Sequence, residues 1–487
     1  MHIWRNIAKF ADEMILALII IYFASLFLFG RLTSGKAGND AFFRAERKSR
    51  WYMVAFGMVG ASISGVTFIS VPGMVMTQQM TYLQMCMGFI LGYFAVAYIL
   101  LPLYYRLNLT SIYTYLGKRL GRRSYKTGAW FFLLSKLSGS AIKFYVVCML
   151  LQRFVMEGYG VPFWLTASVL VAMIWLYTCR GGIKTLVWTD TLQTACMLVS
   201  AGLIIAAVAG QLDMPFARLW QTVWEDSHSR IFVFDDFSST QNFWKQFLSG
   251  IFTVIVMTGL DQDVMQKNLT CKTLRDARKD MCTYGFAFLP VNAMFLFLGV
   301  LLMMLCSQQG LALPAKGDEL LPMFAATGAL GTWAMVLFFI GIISTSFSTA
   351  DSTLTSLTTS LCVDICEDTE DERLRKRVHI GVAVVFALAV ILFDSIGSSS
   401  VINLVYTVVG YTYGPLLGLF AFGLFTRYGV RDRFVPFVCV VSPILCFTIN
   451  EIVHNLLGYQ FGYELLMLNG LVTFSGLMML RTGRMTA

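Results

Sequence analysis

Residues 341 to 360 read GIISTSFSTADSTLTSLTTS and follow directly on the apolar run TWAMVLFFI at 332–340. Twelve Ser/Thr hydroxyls and one carboxylate fall within those twenty residues. At about 100° per residue of helix, Ser344, Ser348, Asp351 and Thr355 share one stripe, with Thr345, Thr349, Ser352 and Ser356 beside it. Hydrocarbon cannot satisfy that stripe, so it must face protein, water or an ion. Membrane helices tolerate Ser and Thr because these can bond their own i−4 carbonyls, a role expected for about half of the hydroxyls here. Their density argues for a cation site.

Composition sets the class. With 57% hydrophobic residues, 13% charged residues and 40 phenylalanines, the chain has more apolar surface than a water-soluble core could hide. An all-α polytopic membrane protein is predicted. Apolar runs able to cross about 30 Å of hydrocarbon are placed at 14–30, 51–75, 82–105, 127–155, 162–178 and 189–210. Seven more are placed at 244–265, 280–306, 333–362, 378–395, 400–425, 434–453 and 462–480, thirteen in all. The first reads as a retained span, since no small-residue cleavage site precedes Arg31.

Charge gives the orientation. With the N-terminus outside and the C-terminus cytoplasmic, the inner loops and tail collect 28 of the 37 Lys and Arg side chains. Lys136 and Lys143 alone lie within a span. The net charge of +9 then reflects topology in a cell membrane, and nucleic acid is not a predicted partner. The eleven cysteines fall in spans or inner loops, so no disulfide framework is implied. Four histidines, none in a span beside a carboxylate, leave little for a metalloenzyme or hydrolase, and no enzyme activity is predicted. There is no GxxxxGK[ST] phosphate cradle. Residues 211–243 are predicted to form a small amphipathic outer lid, and the charge run at 362–377 a solvated helix end. The whole of 1–487 reads as one membrane domain, with no obligate protein partner beyond the lipid bilayer.

A second polar irregularity is GASISGVTFISVPG at 60–73. Gly, Ser and Pro loosen a membrane helix, and freed carbonyls survive only where protein or a cavity receives them. Close packing through Gly57, Gly60 and Ala61 is the alternative use of these small residues. A broken helix offering carbonyls beside a second helix offering hydroxyls makes an oxygen cage suited to a hard monovalent cation, sodium above all. Protons more often use carboxylate or histidine relays, in which these spans are poor.

Five segments carry a resemblance: SISGVTFISVPG at 62–73, LPLYYRLNLTSIYTYLGKRLG at 101–121, YTCRGGIKTLVWTDTLQ at 177–193, GLDQDVMQKNLTCKTLRDARK at 259–279 and GYTYGPLLGLFAFGLF at 410–425. In their order and spacing the chain resembles the sodium:solute symporter family. The resemblance implies an inverted five-helix repeat, a LeuT-like core at 51–425, preceded by an extra helix at 14–30 and followed by two helices at 434–480. It implies a sodium site made by the carbonyls of Gly60, Ile63 and Gly341 with the hydroxyls of Ser344 and Thr345. Asp190 of the WTD segment, with Ser348, would serve the sodium pathway or a second cation site; a helix-start carboxylate is the alternative reading of Asp190. Phe347 stands where some members place a hydroxyl for a second sodium, which leaves the stoichiometry open.

The positions that bind sugar in family members that carry hexoses correspond here to Thr67, Cys86, Val254 and Met257, so a hexose would lose most of its hydrogen-bond partners. Each unpaired hydroxyl costs about 1–3 kcal/mol in a dry pocket. The sialic-acid carriers' pattern fits better, with Ser62, Ser64 and Thr67 for their hydroxyls and Lys143 near their arginine. Lys136 and Lys143, seven residues apart, share one helix face. Lys136 is expected to snorkel toward the cytoplasm, whereas Lys143 lies near midplane and needs a solute carboxylate or a protein acid. Phe68, Tyr82 and Phe252 are possible gates or pocket walls, with plain packing as the alternative. The expectation is sodium-coupled symport of a small organic solute into the cell: a carboxylate such as a sialic acid or monocarboxylate, or alternatively a sugar or amino acid. No cofactor is expected beyond sodium as coupling ion. A transporter-like solute sensor and a Ser/Thr-lined channel are the rival classes.

Overall fold

The computed structural model describes residues 2–34, 38–237, 239–394, 401–459 and 461–484. Its main helices, in chain order, are α1 (His2–Ser34), α2 (Trp51–Ser62), α3 (Gly65–Gln78), α4 (Tyr82–Arg106), α5 (Arg122–Tyr159), α6 (Phe163–Gly181), α7 (Ile183–Gln211) and α8 (Phe216–Glu225). They continue with α9 (Phe243–Gly259), α10 (Gln262–Asn268), α11 (Leu274–Gln309), α12 (Thr332–Ile365), α13 (Glu372–Asp394), α14 (Val401–Phe425), α15 (Val435–Leu457) and α16 (Leu465–Met479). Two short strands, Tyr428–Val430 and Arg481–Arg484, pair antiparallel. Among the described residues nine helices are long and apolar enough to cross a membrane, or eleven if each of two bent pairs is one span. Shorter apolar helices, Ala17–Thr33 and Leu465–Met479, occupy the first and last of the expected spans.

The two bent pairs open the two successive sets of five helices. The first, α2 and α3, bends by 60° at Ile63 and Ser64. There the Ser64 N–H bonds Ser62 O at 3.1 Å, so the Gly60 carbonyl loses its usual i+4 donor. Gly65 is required by close approach: a Cβ there would sit 2.4 Å from Ser346 Oγ on α12. The second pair, α9 and α10, bends by 69°. A π turn at Ile255–Gly259 precedes the bend, and Asp261 caps the new helix by accepting from Asp263 N at 2.8 Å. Only the first break is expected from sequence, in which 244–265 reads as one continuous span and Lys267 falls just beyond its end. Instead Lys267 lies on α10 and is 3% exposed.

The polar helix α12 is the centre of the bundle. Every residue from Gly341 to Ser360 is buried, packed against α2, α3, α5, α6, α7 and α10. Thr345, Thr349, Thr353, Thr358 and Thr359 each donate to their i−4 carbonyl, the use expected of part of this stripe. Outer helices such as α13 and α15 instead turn Val384, Leu388, Ile444 and Phe447 outward, as a lipid-facing surface does.

Two loop readings need adjustment. Residues 211–243 contain the amphipathic helix α8, which rests on α11, as a lid would. The charge run at 362–377 is not wholly solvated. Asp364 is buried and accepts from Ser360 at 2.6 Å and Tyr125 at 2.9 Å, and Arg375 is buried with its guanidinium over the Phe42 ring. A charged segment leaves water when its charges find fixed partners on neighbouring helices.

Candidate functional site

A cavity of about 130 Å³ opens where α2 and α3 meet α4, α5, α9, α10 and α11. Ser62, Ser64, Thr67, Tyr82 and Lys143 all line it, so the structure gathers the solute-side residues expected from sequence. Ser62 shares a short hydrogen bond with the Tyr284 hydroxyl. The facing wall is apolar, with Phe89, Val254, Met257 and Phe288. Phe68 and Phe252 do not line this cavity. Phe68 is fully buried between Phe295 and Phe338 and packs on Gly341. Phe252 faces an apolar groove with Leu424 and Phe474. Phe68 therefore serves packing, because its ring meets other rings before it meets the cavity, whereas Phe252 is turned to the groove.

The cavity floor is ionic. Lys136 Nζ lies 2.7 Å from Asp263 Oδ2 and 3.2 Å from Asp261 Oδ2, and the Tyr413 hydroxyl donates to Asp261 Oδ2 at 2.7 Å. Lys136 therefore does not snorkel, since two carboxylates presented by the bend between α9 and α10 hold it inside. Beside this cluster, Lys267 Nζ lies 2.8 Å from Asp190 Oδ2, while Ser348 Oγ donates to Asp190 Oδ1 at 2.6 Å. Asp190 is thus drawn to Ser348, as expected, but its other oxygen is already taken by a lysine. Farther along α12, Asp351 accepts from the Tyr177 hydroxyl at 2.7 Å. Lys143 stands apart, two turns from Lys136 on the same face of α5, and among the described residues it forms no ion pair.

The residues expected to hold sodium lie beside this cavity, where the α2 and α3 break meets α12. Gly65 packs on the turn from Ile342 to Ser346, and a Cβ on Gly341 would come within 2.7 Å of the Phe68 ring. The Ile63 carbonyl sits in the break, where the surrounding backbone hydrogen bonds pass it by. Thr345 Oγ1 lies 3.0 Å from Gly341 O, and the fully buried Ser344 hydroxyl has no hydrogen-bond partner among the described residues. Freed carbonyls and an orphaned hydroxyl are the hard oxygen donors that a small cation takes.

Sequence reasoning missed Asp261, Asp263 and Lys267 as site residues, along with Tyr284 and Tyr413. Part of the signal was there: two acids and a lysine within GLDQDVMQKNL, where an uninterrupted span would have put them at its edge. The bend turns that edge inward.

Several known proteins resemble this chain. The sodium/iodide cotransporter of Homo sapiens is 24% identical over 430 residues, covering 85% of this chain and 66% of that protein. The sodium/sialic acid symporter NanT of Aliivibrio fischeri is 24% identical over 410 residues, covering 80% and 78%. A solved structure of a Na+-coupled sialic acid symporter, in a substrate-bound outward-open state, superposes with a TM-score of 0.80 at 20% identity, covering 96% of this chain and 97% of that one. The fold is therefore the inverted five-helix repeat of LeuT-like transporters, in a multi-pass membrane protein. The profile of the sodium:solute symporter family matches residues 42–429, and the chain belongs to that family.

Proposed function

We propose that this protein carries a small organic carboxylate into the cell together with sodium. The observation that carries the solute class is Lys143, a cavity-lining cation on a membrane helix with no ion-pair partner among the described residues. Lys136, Lys143, Asp261 and Asp263 are formally balanced as a set, yet both carboxylates sit on Lys136. A solute carboxylate would give Lys143 the direct contact that the chain withholds, with the hydroxyls of Ser62, Ser64 and Thr67 beside it. A sialic acid and a smaller monocarboxylate both meet that requirement, and a lysine offers a point charge to either.

Sodium would bind between the carbonyls of Gly60, Ile63 and Gly341 and the hydroxyls of Ser344 and Thr345. Occupying that site would favour the outward-open arrangement, to which solute binds next, so coupling is a population shift. Lys267 fills the place beside Asp190 that a second cation could otherwise take, which supports one sodium per solute. Transport runs inward across the cell membrane, with the N-terminus outside and the C-terminus cytoplasmic, the orientation supported by the loop charges.

Uptake into proteoliposomes with and without a sodium gradient, over a panel of sialic acids, monocarboxylates, amino acids and sugars, tests the reading. Sodium-driven accumulation of an acid is the expected result. A best solute without a carboxylate, or uptake indifferent to sodium, would refute it.

A further inference from the structure

The extra N-terminal helix α1 lies outside the ten-helix core, yet it packs on α6, α7 and α12. Its Tyr22 ring stands 6.2 Å from Phe347, and its hydroxyl lies beside Ser344 on α12 and Gln193 on α7. Four buried polar atoms converge there without a hydrogen-bond partner among the described residues: Tyr22 Oη, Gln193 Oε1, Gln193 Nε2 and Ser344 Oγ. Gln193 is 1% exposed and Ser344 0%. Buried polar atoms are ordinarily paired, so such a convergence on three helices marks a site whose bonds are completed by something further.

Resting on the sodium site proposed above, we infer that Tyr22 and Gln193 are positioning residues standing behind it. A serine oxygen that ligates a cation keeps its proton and becomes a stronger donor, which needs an acceptor on the far side. With sodium on the Ser344 oxygen, Gln193 Oε1 would accept from the Ser344 hydroxyl and Gln193 Nε2 would donate to Tyr22 Oη, bonds that none of these atoms makes in the structure. That chain of two bonds would turn the Ser344 lone pair toward the ion and tie α1 to sodium affinity. The inverted repeat alone does not supply this tie, because Tyr22 comes from the added helix.

The test uses the full chain in proteoliposomes. Tyr22→Phe and Gln193→Met should each raise the sodium concentration for half-maximal uptake three- to tenfold. Solute KM and maximal rate at saturating sodium should stay within twofold. The double variant should match Gln193→Met alone, because the two groups act in series. Ser344→Ala separates the two levels of the argument. If it leaves sodium activation unchanged, the underlying sodium site is misassigned. If it shifts activation while both Tyr22→Phe and Gln193→Met stay within twofold of the parent, the site stands and the positioning role is overturned. Loss of solute affinity and rate at unchanged sodium half-saturation would mean simple packing, and would overturn it as well.

Discussion

Lys267 and Asp190 form an ion pair of 2.8 Å with both side chains nearly inaccessible to solvent, tying α10, the second half of a broken helix, to α7, the helix that carries the WTD segment. Neither partner can be removed alone without leaving a buried charge. Breaking such a pair typically costs about 3–5 kcal/mol, whereas replacing both partners is often close to neutral. Asp190→Asn and Lys267→Met should each lower the thermal unfolding temperature sharply, and the double variant should recover most of the loss. Two single losses that simply add in the double variant would show that the two groups act independently.

Asp190 also bears on coupling. In Asp190→Asn, uptake rate should fall more than solute affinity measured by equilibrium binding at saturating sodium, because the carboxylate lies beside α12 and is not among the residues lining the cavity. Collapse of affinity with an unchanged rate at saturation would move Asp190 into the solute pocket.

Thr345→Ala and Ser344→Ala each remove one of the two side-chain ligands proposed for sodium. Both hydroxyls are buried, and both deletions are small. Sodium half-saturation of initial uptake should rise in each, with the fold intact. If both variants keep the parent's sodium dependence, sodium binds elsewhere.

Lys143 and Lys136 should respond in opposite ways. Lys143→Met leaves no stranded partner, so the protein should stay folded while its affinity for the acid falls at least a hundredfold, about 2.7 kcal/mol. Lys143→Arg should keep part of the binding. Lys136→Met strands Asp261 and Asp263 and should destabilise the protein first. Normal acid binding by Lys143→Met would make Lys143 a structural residue.

One sodium moving with one monocarboxylate carries no net charge. Potassium gradients with valinomycin, set to impose an inside-negative potential, should leave the initial rate of acid uptake unchanged. A rate that climbs with the imposed potential would require a second cation per cycle, in conflict with Lys267 as the resident partner of Asp190.

What the sequence determined by itself is what lipid imposes locally. Hydropathy placed the apolar helices, and a polar stripe at 341–360 had to be the buried centre, because hydrocarbon penalises an unsatisfied hydroxyl wherever it points outward. A break within 60–73 was legible for the same reason, from Gly, Ser and Pro clustered inside an apolar run, and the structure places it at 63–64. So was the gathering of Ser62, Ser64, Thr67 and Lys143 at one cavity, through the family pattern. Tertiary structure alone decided who pairs with whom. Lys136 reads as a snorkelling lysine, and Lys267 falls just beyond the end of the span at 244–265, until the bend after Gly259 carries Asp261, Asp263 and Lys267 inward. A burial window along the chain cannot see that bend, and a charge is stable inside the membrane only through a partner that another helix supplies. The choice between wall and packing for Phe68 and Phe252 was open in sequence for a related reason: an aromatic ring on a membrane helix looks the same whether it meets a cavity, another ring or an apolar groove, and only the neighbouring helices settle which.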